Sequence, residues 1–246
     1  MMYLTETRLS EIVKKQYKFK WNSYKSVFSS LVIIQLVAIL FSLGGVRGGG
    51  MNTESIKLDY TSYSADIVII FTFLWGLMSS LLLTTKAYRQ DDFIFVTNRF
   101  SSVISSIAFI VTASVIGGIM AVGSGYLLRV LVYYIWRDHQ VVDNGISHQP
   151  LLLLMGIIAT ILFILLFSAI GYLAGMIIQV HRVFVVVLSA LFIGFFFIHA
   201  EQFSKGLYQF YFEESAFIVF LSKMIVTIGI LFYCAMLIAS RLEVKR

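Results

Sequence analysis

Long apolar runs alternate with short polar segments along almost the whole chain. A spanning helix needs roughly 20 apolar residues to cross a hydrocarbon layer about 30 Å thick. Six stretches meet or approach that length: Val27–Gly45, Ile67–Thr84, Val103–Ser124, Leu151–Val180, Val183–Ile198 and Ala216–Ser240. The fourth holds no charge and no proline, so it reads as one long tilted helix. The fifth is the shortest and follows the fourth after only His181 and Arg182. The pattern predicts an all-α, six-span membrane protein forming a single domain over residues 1–246, with both ends on one side.

The polar segments carry patterns of their own. Over residues 1–25, Leu9, Ile12, Val13, Tyr17 and Trp21 recur at helical spacing, with Lys14, Lys15, Lys18, Lys20 and Lys25 among them. A lysine-rich amphipathic helix with aromatics on its apolar side lies in the membrane interface. No short apolar core of the signal-peptide kind directly follows a basic N-terminus. The loop Val46–Asp66 opens on the run RGGG, which predicts a flexible start. From Ser101 to Trp136 is 36 residues, about 54 Å if helical. The third span therefore projects from the membrane or bends into a surface helix. Segments 126–150 and 200–215 are expected on the outer side, the latter rich in aromatics suited to a lipid–water boundary.

Composition supports the membrane reading. The chain is 59% hydrophobic and 13% charged, with mean hydropathy +0.88, against about 25% charged residues in soluble domains. The net charge of +6 is a topology signal here and not a nucleic-acid footprint. With the termini inside, thirteen of the 19 Lys and Arg residues fall on the inner side, as the positive-inside rule requires. Cys234 is the single cysteine, so no internal disulfide can form.

Candidate chemistry is sparse. There is no P-loop and no His-Glu-x-x-His, and His139, His148, His181 and His199 form no ligand spacing, so no metal site is expected. Val122-Gly123-Ser124-Gly125 lacks the first glycine of the Gly-x-Ser-Gly found in rhomboid proteases. Glu213-Glu214 lacks the arginine of another membrane-protease motif, having Ile218 there. No enzyme activity is expected of this chain. Lys223, inside the last span, is read as snorkelling outward toward Glu214. Gly171-x-x-x-Gly175, with the pairs Ser114/Gly118 and Gly76/Ser80, allows close helix packing within one chain or between two.

The densest polar segment is Lys86–Arg99, KAYRQDDFIFVTNR, in the inner loop 85–101. Its charges and aromatics suit docking, with Phe93 and Phe95 as apolar anchors among Arg89, Asp91, Asp92, Asn98 and Arg99. Thr97 or Asn98 is placed to cap the following helix. With the basic amphipathic start, six spans and an aromatic-rich loop before the last span, this segment resembles the small ABC-2-type permeases of Gram-positive bacteria. That resemblance implies a membrane subunit of an ATP-driven exporter in a bacterial plasma membrane. It implies separate ABC ATPase subunits that bind ATP and Mg, a second identical or related permease subunit, and a coupling helix formed by this loop. No cofactor is expected in the chain itself. An amphipathic peptide, antimicrobial agent or lipid would suit its apolar walls. The alternative reading is a membrane immunity or sensor protein that acts by binding without transport.

Overall fold

The structure is a computed structural model that describes residues 9–45, 47–53, 56–62, 64–85, 88, 99–135, 150–181, 183–187, 189–190, 194, 205–206, 209–210 and 216–242, the two strands by backbone alone. Among the described residues the principal elements are, in order, α1 Leu9–Ser23, α2 Lys25–Ser42, β1 Arg47–Thr53, β2 Ile56–Ser62, α3 Asp66–Leu83, α4 Arg99–Ile135, α5 Pro150–Val180 and α6 Phe217–Leu242. Five of these, α2 to α6, are long and apolar enough to cross a membrane. The chain is a multi-pass membrane protein of helical build. The remaining expected span, Val183–Ile198, lies in large part outside the described residues, which are helical at 183–187, 189–190 and 194.

One detail differs from the sequence reading. The Arg47–Thr53 segment is not a loose start to a loop. It pairs antiparallel with Ile56–Ser62, in register from Arg47↔Ser62 to Thr53↔Ile56. Cross-strand backbone hydrogen bonds take up the donors and acceptors of the glycine run that face the partner strand, at alternate residues. Gly45, at φ 82, ends the turn after α2 in a conformation that costs other residues a steric clash. Helix α4, expected either to project from the membrane or to bend into a surface helix, runs 37 residues without a break, about 55 Å. At that length it outreaches the bilayer core.

The chain divides into two packed units. One comprises Tyr24–Gly76 and Thr112–Ile164; the other Met1–Ser23, Leu77–Val111 and Leu165–Arg246. Helices α3, α4 and α5 contribute to both.

In the first unit, α2, α3 and α4 meet along two apolar clusters. Leu31, Trp75 and Ala113 form one, with Val27, Phe28, Ile34, Ile116 and Met120 around them. Ala38, Ile39, Val68, Leu128 and Val132 form the other. Lipid is as apolar as these side chains, so burial alone does not drive the helices together; close fit and polar contacts do. The fit is visible at Gly117, where a Cβ would stand 3.3 Å from the Trp75 ring, and at Gly118, where it would stand 3.2 Å from the Ile161 backbone of α5. The polar contacts are Gln35 Nε2 donating to Thr72 Oγ1 at 3.3 Å and Trp75 Nε1 donating to Ser30 Oγ at 3.0 Å. The outer faces of these helices, Ile33, Leu36, Leu40 and Phe41 on α2 among them, are exposed and apolar, as lipid contact requires.

In the second unit, the Gly171/Gly175 pair packs against the C-terminal part of α3. A Cβ at 171 would overlap the Leu77 carbonyl oxygen, and one at 175 would lie 3.0 Å from the Thr84 Cβ. Gln179 Nε2 donates to the Thr84 carbonyl oxygen at the same contact. Helix α6 buries one stripe, Phe220, Met224, Ile228, Phe232, Ala235 and Ala239, at the three- and four-residue spacing of a helix face. Phe232 meets Tyr172 of α5, ring centroids 6.3 Å apart.

Candidate functional site

Of the seven residues expected to couple to a partner, Arg89, Asp91, Asp92, Phe93, Phe95 and Asn98 lie outside the described residues, as does Thr97. Arg99 is placed as the first residue of α4. The described structure that adjoins this segment is the first turns of α4, and there the chain is unusual.

Helix α1 docks on those turns. Leu9, Ile12, Val13, Gln16 and Tyr17 share a face with Lys20, because residues three and four apart stack on one side of a helix. The centre of that face is polar. Gln16 is buried, and Lys20 is only 2% exposed. Lys20 Nζ donates to Ser106 Oγ at 2.6 Å and to the Ser102 carbonyl oxygen at 3.2 Å. The Ser106 hydroxyl donates in turn to that carbonyl at 3.0 Å, and the Ser105 hydroxyl does so at 2.8 Å. One carbonyl thus gathers three side-chain donors.

This placement refines the sequence reading, which counted Lys20 with the other lysines of the segment and did not single it out. The signal was available: Ile12, Gln16 and Lys20 recur every four residues. A buried ammonium is tolerated only with hydrogen-bond acceptors around it. Near the start of a helix the macrodipole repels a cation, so the direct bonds to Ser102 and Ser106 must outweigh that repulsion. Each charged hydrogen bond contributes roughly 1.5–3 kcal/mol. The result is a fixed joint between α1 and the helix that continues from the Lys86–Arg99 segment.

A single non-helical residue, Tyr24, with φ −102 and ψ 34, then separates α1 from the membrane helix α2. Joint and span are therefore adjacent in the chain.

Other sequence candidates are placed as follows. Ser124 sits within α4, and its hydroxyl donates to the Ala121 carbonyl at 2.6 Å, a self-bond within the helix that suits packing. Lys223 Nζ donates to the Phe210 carbonyl at 3.1 Å and lies 4.8 Å from the centre of the Phe210 ring. It therefore has a local partner, while Glu213 and Glu214 lie outside the described residues. Ser114 is buried in α4, and its hydroxyl finds no hydrogen-bond partner among the described residues. Among those residues no group of three His, Cys, Asp or Glu side chains is arranged to hold a metal. Compared with protein-family models, curated proteins and solved structures, the chain finds no match.

Proposed function

We propose that this chain is the membrane-spanning subunit of an ATP-driven exporter, with six spans and both termini in the cytoplasm of a bacterial plasma membrane. Separate ABC ATPase subunits supply its energy, and a second permease subunit completes the translocation path. An amphipathic peptide, antimicrobial agent or lipid is the proposed substrate class. The Lys86–Arg99 segment is the proposed docking site, with Asp91, Asp92 and Arg99 pairing with charges and Phe93 and Phe95 filling an apolar pocket.

The observation that carries this reading is the Lys20 joint. Force delivered to the segment enters α4 at Arg99, and within two turns the helix is bound to α1 through Ser102 and Ser106. A push on the segment would therefore move the interfacial helix and the start of a 37-residue rod together. A loop that only sets topology needs no such joint. The absence of a P-loop from the sequence fits a chain that receives its energy from a partner.

The test is to purify the chain from its native source and ask whether a P-loop ATPase accompanies it. Replacing Asp91, Asp92 and Phe93 together by alanine is then expected to release the ATPase or abolish substrate-stimulated ATP turnover. An unchanged complex with unchanged turnover would overturn the coupling role. Binding of an antimicrobial without any associated ATPase would point to the immunity or sensor reading.

A further inference from the structure

The docked face of α1 leaves its opposite face open. With about 100° between successive residues, Lys14, Lys15 and Lys18 fall on the far side of the helix from Gln16 and Lys20. All three are exposed, Glu11 is the one acid on that arc, and Trp21 at its edge is 37% exposed. Tyr17 lies beside Trp21, ring centroids 6.4 Å apart. Because the Lys20 bonds hold the other face to the protein, the lysine arc cannot roll inward.

We infer that this arc binds the anionic phospholipid headgroups of the leaflet in which α1 lies. Chain connectivity keeps the lysines close to that surface. Helix α2 begins at Lys25, one residue after α1 ends, and is itself a spanning helix. Lys18 is five residues from Ser23, about 8 Å along the axis, and Lys14 about 14 Å. These distances keep all three near the headgroup layer. A tryptophan flanking lysines is the composition of an interfacial helix. Three positive charges against one negative match an anionic surface, and each lysine there favours association by roughly fivefold. The inference rests on α2 spanning the membrane and is independent of the exporter reading.

The test uses the full chain in mixed bilayers. Cys234→Ser with Asn22→Cys places one thiol on the exposed side of α1 for a fluorescent label. Quenching by brominated phosphatidylglycerol is compared with quenching by brominated phosphatidylcholine at equal mole fraction. The parent chain is expected to favour phosphatidylglycerol at least fivefold, with the ratio falling toward one in 1 M salt, where the screening length is about 3 Å. Lys14→Gln, Lys15→Gln and Lys18→Gln together are expected to bring the ratio near one, and the matching Arg triple to retain it. No preference in the parent would overturn the inference, as would a Gln triple whose ratio stays as high as the parent's. A Gln triple that keeps the lipid ratio but releases an associated ATPase would show the arc to be a protein-docking surface instead, and would likewise overturn it.

Discussion

Gly171 and Gly175 set how closely α5 can approach α3, so alanine at either tests the packing directly. At 171 a Cβ overlaps a backbone atom, the Leu77 carbonyl oxygen, and stands 2.5 Å from Ser80 Oγ. Backbone cannot rotate away. Restoring an ordinary contact requires the helices to part by about 1 Å, a gap that forfeits up to half of the dispersion energy of the atoms facing it. Overpacking of this kind costs about 2 kcal/mol. For a chain of this size that lowers the melting temperature by roughly 4–8 °C. At 175 the first obstacle is the Thr84 hydroxyl, which can turn, although the Thr84 Cβ remains 3.0 Å away. Gly175→Ala is therefore expected to cost less than Gly171→Ala. The double variant should cost less than the sum, because one separation relieves both clashes. Gly156 is the control. Nothing stands within 4 Å of a Cβ there, and alanine in a helix is favoured by roughly 0.5–1 kcal/mol. The assay is thermal unfolding of purified protein in detergent, with unchanged helix content as the folding check. If Gly171→Ala and Gly156→Ala melt together, the close α3–α5 contact is not there.

Three further outcomes follow from the same physics. Ser106→Val replaces the acceptor 2.6 Å from Lys20 Nζ with a methyl group and should destabilise by about 3 kcal/mol, as for a buried charge losing a partner; Lys20→Met in that background should recover most of it, and failure of the rescue in a melting assay would refute the joint. Trp75→Phe removes the indole donor to Ser30 and part of an apolar cluster, at an expected cost of about 1–2 kcal/mol by the same assay. Ser114→Ala deletes a buried hydroxyl without a partner among the described residues and should be neutral or raise the melting temperature by a few degrees; a clear loss would show that the hydroxyl holds something.

Much of the membrane architecture is legible along the chain, because a hydrocarbon solvent imposes its length and polarity rule on each segment separately. Asp66–Leu83, Pro150–Val180 and Phe217–Ser240 lie within a few residues of the spans read from hydropathy. The GxxxG at Gly171 was also legible as a close-packing motif, because only the absence of a side chain permits such an approach. Its partner was not legible: Leu77, Ser80 and Thr84 lie some 90 residues away, and nothing local distinguishes a neighbour in the same chain from one in another.

The same division explains Lys20 and the hairpin. By itself the sequence determined a basic amphipathic helix before the first span, since periodicity and charge are properties of the segment alone. Only tertiary structure decided that one of its lysines turns inward, because the decision depends on a carbonyl and a hydroxyl more than 80 residues away being in place to receive the ammonium. Likewise, RGGG alone signals freedom, and pairing with Ile56–Ser62 removes it. Solvent preference is written locally; the partners that satisfy a buried charge, a free backbone or a bare glycine come from elsewhere in the fold.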